Sequence, residues 1–328
     1  MKQLSALERS LFSAAGSLLS PGGRRGSLLV LIYHRVFERR DQLLADEPDA
    51  ATFAAHMDAV ASTFNVLPLS EAAERLQRGA LPSRAACITF DDGYANNLTV
   101  AAPILAQREL PATVFIATDF IGGGRMWNDT LIEVVRRATG ELDLTSFGLA
   151  RYPLTSHAER RSSLEAILGA IKYQEPAERL RTVERIAERA GIELPNDLMM
   201  SEAQIRALHA GGVEIGAHTQ THPILTRIDE SAAAAEIRSS KRILEDIIAA
   251  PVRTFAYPNG RPQRDYARRD VALVKAAGFD AAVSTAWGCA RASADVHQLP
   301  RIAPWDRTTL RFVGRMMRTY VEAAPQLA

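Results

Sequence analysis

The sequence predicts an α/β fold in which about seven parallel strands curl into a distorted barrel, interrupted by one helical insertion. Three observations predict it. Short apolar runs alternate with longer stretches at helical spacing, the pattern of repeated strand–helix units. Several of those runs are continuously apolar instead of alternating, which suits strands buried on both faces. Polar residues follow the runs, and in parallel barrels a site assembles from several strands at their C-terminal ends.

In chain order, residues 1–26 read as an N-terminal helical segment and 27–328 as the barrel domain. Leu4, Leu7, Leu11, Ala15, Leu18 and Leu19 form an apolar stripe at helical spacing, expected to pack a helix onto the domain. An interfacial membrane helix beside Arg24 and Arg25 is the alternative, disfavoured because the segment is not strongly basic. Candidate strands are 27–33, 64–69, 85–90, 112–117, 212–217, 254–257 and 280–285. Candidate helices are 70–77, 97–108, 201–210, 230–248 and 266–277, with Ser201 and Gln204 spaced as a capping box. The alternation fails between about 122 and 198. Gly122-Gly123-Gly124 leads into this stretch, Pro195 lies near its exit, and its interior is helical and charged with no convincing strand. It reads as an insertion between two barrel strands.

Composition bounds the function. A chain of 328 residues with 47% hydrophobic and 23% charged residues can bury a sizeable core. A net charge of +1 excludes bulk attraction to nucleic acid. Neither Cys87 nor Cys289 has a CxxC partner, which argues against a structural zinc site or a disulfide framework, and Cys87 is expected to be a buried small hydrophobe. Glu8 and Arg9 break any secretory h-region, and the run 28–33 is far short of the roughly 20 residues a membrane span needs. The expected location is the cytoplasm, with peripheral attachment to the inner face of the membrane as a variant. The oligomeric state is left open.

The chemistry lies at the strand ends. Asp91 and Asp92 close one run in Thr89-Phe90-Asp91-Asp92-Gly93, and His218 and His222 follow another in His218-Thr219-Gln220-Thr221-His222. Adjacent carboxylates repel, so both ionise near neutrality only if one is neutralised; a metal on Asp92 would do this and leave Asp91 as a base. Taken alone, Asp-Asp-Gly is also a common turn. Imidazoles four residues apart meet on one face of a turn, and one carboxylate with two imidazoles leaves coordination positions open for water and substrate. Such a donor set suits zinc, with cobalt, nickel, manganese or iron as alternatives.

These segments, with Phe255-Ala256-Tyr257-Pro258-Asn259-Gly260, resemble the first three motifs of the polysaccharide deacetylases, also called the NodB-homology or carbohydrate esterase family 4 domain. Leu31-Ile32-Tyr33-His34-Arg35-Val36 and Gln298-Leu299-Pro300-Arg301-Ile302 are similar to further segments of that family. The resemblance runs from about residue 28 to 305, with the insertion least covered. It implies a NodB-type barrel and metal-dependent N-deacetylation of an acetylated amino sugar. It makes Asp91 the base that activates water, and Asp92, His218 and His222 the metal ligands. It places Tyr257, Pro258, Asn259 and Gly260 along the substrate groove, with the Tyr257 N–H as a candidate oxyanion donor.

The chain departs from the family pattern at two points. Ala256 stands where an arginine usually orients the catalytic aspartate, so Arg253 and Arg301 are the candidate substitutes, and Arg301 is also assigned to the substrate groove. The Leu-x-His string that supplies a general acid is missing, which leaves His34 and His297, with His34 better placed on a strand end. Trp287 and Trp305 are candidate sugar platforms, whereas Trp127 is expected to be ordinary packing. The expected substrate is an N-acetylhexosamine in a cell-surface polysaccharide or a nucleotide- or lipid-linked precursor. A deformylase of a lipid-linked amino sugar and a catalytically dead carbohydrate binder are the rivals.

Overall fold

Leu28–Tyr33 (β1) and Ala85–Phe90 (β3) are buried at every position, as strands covered on both faces must be. They pair in parallel without a bulge from Leu28 opposite Ala85 to Tyr33 opposite Phe90. His34 and Asp91 therefore leave the sheet at one level, where the Asp91 N–H donates to the Tyr33 carbonyl at 2.9 Å. The short β2 (Asn65–Val66) pairs with the start of β3. The end of β3 pairs instead with β4 (Thr113–Ile116). The computed structural model describes residues 4–306, 308–323 and 326–328, so the first three residues of the 1–26 segment lie outside the described residues.

The main sheet continues through β7 (Glu214–Ala217), β8 (Thr254–Ala256), β9 (Ala281–Trp287) and β10 (Leu299–Arg301), all parallel, in the order β1-β3-β4-β7-β8-β9-β10. The intervening β5 (Glu141–Asp143) and β6 (Arg151–Pro153) form a separate antiparallel pair. After β10, Ile302 bridges back to Leu31: its N–H donates to Val30 and its carbonyl accepts from Ile32. This short contact brings seven parallel strands to a nearly closed barrel.

Helices cover the outside: α1 (Ala6–Leu19), α2 (Ala50–Thr63), α3 (Leu69–Arg78), α4 (Ala102–Ala106), then α5 (Trp127–Arg137), α6 (His157–Ile171) and α7 (Pro176–Ala190). The series ends with α8 (Glu202–Ala210), α9 (Glu230–Ile248), α10 (Arg268–Ala276) and α11 (Thr309–Thr319). The Ser201–Gln204 capping box starts α8, and Cys87 is fully buried. Between β4 and α8, α5–α7 and the β5–β6 pair share an apolar cluster of their own, including Leu131, Val134, Ile167, Ile171, Val183 and Ile186.

Several expectations need correction. The stripe on α1 does not face the domain: Leu7, Leu11, Leu18 and Leu19 are 70%, 60%, 82% and 40% exposed. The helix lies on α2 and α11 by another face, with Leu4 and Gly16 buried and Phe12 against the core. The stretch expected to hold no strand contains β5 and β6, and the strand expected at 64–69 shrinks to two residues because α3 begins at Leu69. No helix among the described residues is long and apolar enough to cross a membrane.

Candidate active site

The site opens at the C-terminal rim of the barrel, where β1, β3, β7, β8 and β10 deliver its groups, two of them from β3 and two from the loop after β7. Asp91 leaves β3 buried, at 3% exposure, and the guanidinium of Arg301 grips it with Nη1 on Oδ1 and Nη2 on Oδ2, both at 2.7 Å. The third face of Arg301 is occupied too: Nε donates to the Ser284 carbonyl at 2.9 Å. Burial pushes the Asp91 carboxyl up, but the Arg301 charge, with His218, outweighs it and holds the carboxyl below its ordinary range. Arg301 is thus the arginine that supports the carboxylate. Fully occupied at Asp91 and Ser284, it replaces Arg253, which pairs with Asp280 and Glu74 on the surface. Arg301 also lines the cavity, in keeping with its expected place in the substrate groove, with its guanidinium committed to Asp91 and Ser284.

Asp92 turns the other way because its backbone is left-handed, at φ 75°. Gly93, at φ 89°, must be glycine, since a Cβ there would meet Ile116 Cγ2 at 3.0 Å. Across the cleft, Oδ1 of Asp92 lies 3.5 Å from Nε2 of both His218 and His222. One ligand atom from each of these three residues falls within 4.8 Å of the others. His218 Nδ1 donates to the Ala256 carbonyl at 2.7 Å, so its Nε2 presents a lone pair to the carboxylates when the ring is neutral. Burial, aided by the His218 charge, pushes His222 down to about 3, so this ring is neutral near pH 7. Its Nδ1 is buried without a partner. A buried carboxylate facing the His218 lone pair and a second, neutral imidazole is a donor set that fits a divalent ion. Left-handed backbone recurs at Thr219, His222 and Asn259, a concentration of strain that marks functional loops.

The loop between the two histidines is fixed from outside. Glu236, on α9, accepts the Gln220 and Thr221 N–H groups at 2.8 Å each and the Thr221 hydroxyl at 2.6 Å. Nothing in local spacing reveals this residue, which lies 14 positions beyond His222 and acts through the loop backbone.

These groups line a cavity of about 710 Å³, within the ~300–1,000 Å³ range of small-ligand sites. His34 lies in its wall, its Nδ1 4.0 Å from Glu47, a carboxylate that no sequence motif singled out. Burial opposes charge on His34, but Asp92, Glu47 and Asp91 together outweigh it and raise its pKa above the usual value. Glu47 itself is raised by burial, with His34 countering. Asp129, at the start of α5, adds a further carboxyl that burial pushes up to about 6, with Arg35 and the Met126 N–H opposing. Trp287 and Trp305 line the wall, and their rings stack on each other with centres 5.7 Å apart. Trp127 also lines the cavity, which corrects its reading as ordinary packing.

Other sequence candidates fall elsewhere. His297 bonds the Phe279 carbonyl through Nε2 at 2.9 Å and does not reach the cavity. Tyr257 is fully buried, its hydroxyl on the His297 carbonyl, and its N–H is taken by Val283 at 3.2 Å, so it is no oxyanion donor. Pro258 and Gly260 are buried behind the wall. Only Asn259 of that segment lines the cavity, at φ 58°, and no acceptor faces its N–H among the described residues.

Comparison with known proteins identifies the family and the fold. A family model described as polysaccharide deacetylase matches residues 78–282, more than half of the chain. Among solved structures, the deacetylase PplD of Streptococcus pyogenes, in complex with acetate, is similar with a TM-score of 0.60 at 18% identity, over 89% of this chain and 98% of that one. IcaB from Ammonifex degensii gives 0.57 at 18%, over 90% and 97%. The BpsB deacetylase domain of Bordetella bronchiseptica gives 0.51 at 18%, over 84% and 95%. At such identities the likeness to these structures is one of fold. No curated protein matches the chain.

Proposed function

The chain belongs to the polysaccharide deacetylase family, hydrolases of the amide bond in acetylated sugars, and on that premise we propose that it is a metal-dependent N-deacetylase of an N-acetylated amino sugar, in a surface polysaccharide or its precursor. The observation that carries the reading is the division of labour between adjacent aspartates: Asp91 is held by Arg301, while Asp92 faces two imidazoles. A mere sugar binder has no use for a buried, ionised and otherwise uncommitted carboxylate beside such a trio.

Asp92, His218 and His222 would hold a divalent ion, with zinc the first choice for this donor set. When bound, the ion polarises the amide carbonyl and lowers the pKa of water. Asp91 then removes a proton from the attacking water as its oxygen bonds to the carbonyl carbon. The Asn259 N–H is the backbone donor available to the developing oxyanion, the role expected of Tyr257. His34 delivers a proton to the departing amine as the C–N bond breaks, and Glu47 beside it keeps the imidazolium accessible at working pH. Trp287 and Trp305 offer their faces to the sugar ring. The protein would work in the cytoplasm or against the inner face of the membrane.

The test is acetate release from a panel of neutral, nucleotide-linked and lipid-linked N-acetylhexosamines. It is run on metal-stripped protein with and without added zinc or cobalt, beside Asp91→Asn. Metal-dependent release that Asp91→Asn abolishes is expected. Formate release from an N-formyl sugar, with no acetate from any substrate, would replace this reading by the deformylase one.

A further inference from the structure

Beyond the reacting groups the cavity runs between the C-terminal end of α6 and the loop after β8, and there its character changes. Lys172 and Arg261 line it, and Arg261, Thr285 and Trp287 are shared with an adjoining recess of about 600 Å³ that Arg264 also lines. The Arg264 guanidinium lies 4.4 Å from the centre of the Tyr173 ring, and Arg227 lies 5.8 Å from the same ring. Arg179 is 6% exposed, sits 4.8 Å from the Trp127 ring and donates to the Lys172 carbonyl at 3.1 Å.

No side-chain ion pair within 4.0 Å joins any of these five cations to a carboxylate among the described residues, whereas Arg75 pairs with Glu71 and Arg108 with Asp58. Two carboxylates lie near the cluster, and one of them, Glu322 in the wall of the recess, is already engaged by the Trp287 N–H at 2.7 Å and by Arg318 at 3.3 Å. The other, Asp265, is fully buried, accepts the Arg261 N–H at 3.1 Å and keeps Oδ1 without a partner. It does not balance five positive charges. Burial lowers the Lys172 pKa, and the charges of Arg261, Arg264 and Arg179 lower it further against Asp265. In a chain of net charge +1, unpaired cations gathered on one side of a recess repel one another and need an anion to offset them.

On the deacetylase reading above, we propose that Lys172, Arg261 and Arg264 form an anion subsite for a phosphate or diphosphate carried by the amino sugar whose acetamido group lies at Asp91. Phosphate suits the site better than a uronate carboxylate. Its several oxygens can engage two guanidinium forks and an ammonium at once, whereas one carboxylate saturates a single arginine. Lys172 and Arg261 line the cavity that holds the reacting groups and Arg264 the recess that shares Arg261, Thr285 and Trp287 with it, so one bound molecule can present the phosphate and the amide together.

The test measures kcat/KM on metal-loaded protein for a neutral methyl N-acetylhexosaminide, the N-acetylhexosamine 1-phosphate, a nucleoside-diphosphate N-acetylhexosamine and a polyprenyl-diphosphate N-acetylhexosamine in micelles. Wild type is compared with Arg261→Gln/Arg264→Gln and with Lys172→Met. At least one phosphorylated substrate is expected to exceed the neutral one by about 10- to 100-fold, mostly through KM, with the ratio collapsing towards one in the double variant and falling with added salt. Preference for the nucleotide or the lipid arm identifies the source of the phosphate. Equal turnover of neutral and phosphorylated substrates by wild type would overturn the subsite and leave the deacetylase reading standing. If no substrate releases acetate, that reading fails, and calorimetry decides the subsite alone. N-acetylhexosamine 1-phosphate binding that the double variant loses supports it; no binding, or equal binding to both proteins, overturns it.

Discussion

Asp91, the proposed base, is buried in the mouth of a barrel, and its charge depends on one partner 210 residues away. Remove Arg301 and burial governs: the Asp91 pKa rises. Because the base acts deprotonated, Arg301→Met is expected to shift the acidic limb of the pH–rate profile to higher pH, with kcat down about 100-fold or more. It also leaves a buried carboxylate unpaired, at a cost of about 3–5 kcal/mol read by denaturant melting. His34 works in the opposite sense. As the proposed acid it would act protonated; its pKa is raised, and activity is expected to fall as pH climbs through that pKa. Glu47→Gln withdraws one of the raising charges, so the alkaline limb moves to lower pH, while His34→Gln abolishes the limb and lowers kcat by ~10²–10⁴-fold. An unchanged profile in either variant assigns the acid elsewhere. At this scale the metal trio was legible, because Asp92 and the His218–His222 pair sit in short local strings whose chemistry is explicit. The Arg301–Asp91 grip and Glu47 were only partly legible or silent, since both act across the barrel and no spacing encodes a long-range pair.

Glu236 shows how an element positions the residues that do the chemistry. Helix α9 packs beside β7 and presents this carboxylate to two consecutive N–H groups of the histidine loop, where φ is 64° at Thr219 and 55° at His222. Left-handed backbone at non-glycine residues persists only when the surroundings over-determine it. Glu236→Ala is therefore expected to weaken metal affinity by about 10- to 100-fold, as loss of supporting hydrogen bonds around ligands does. Metal titration of the folded protein checks this; a lowered melting temperature with unchanged affinity would make Glu236 structural only. Elements themselves were legible in proportion to their length and contrast. The runs that became β1, β3 and α9 were placed within a residue, because six continuous apolar positions or nineteen periodic ones outweigh local noise. Helix α2 went unseen: Phe53, Ala55, His56, Met57, Ala59 and Val60 are all buried, so a broad face that includes histidine blurs the periodicity. β10 is three residues long with Pro300 in the middle, and pairing with β9 and the Ile302 bridge, not propensity, makes it a strand. The stripe on α1 correctly announced a helix and misstated its partner, because periodicity marks an apolar face without saying what covers it.

As a whole, the molecule sets the apolar cluster of α5–α7 against the barrel across the cavity, and the metal ligands stand on the barrel side alone. The cluster around Ile167 belongs to α5–α7, whose neighbours Trp127, Leu168 and Lys172 form one wall of the cavity, while the barrel supplies the other. Ile167→Ala, in a fully buried position, is expected to cost about 2–5 kcal/mol and to raise KM well before kcat falls, since the reacting groups stand on the barrel. Metal acts on the opposite wall. Its candidate ligands leave β3 and β7, two strands that β4 separates in the sheet, and their donor atoms repel one another when no cation lies between them. Binding therefore favours the closed barrel over any state in which β3 and β7 part. An ion present at 100 times its Kd stabilises the native state by about 2.7 kcal/mol, which corresponds to a melting shift of several degrees. Chelation is expected to lower the Tm by that amount and zinc to restore it. Asp92→Ala should be insensitive to both treatments, because its two imidazoles then lack the carboxylate that completes the site. A chelator-induced fall of equal size in Asp92→Ala would place the stabilising metal at other residues and separate the barrel's stability from its chemistry.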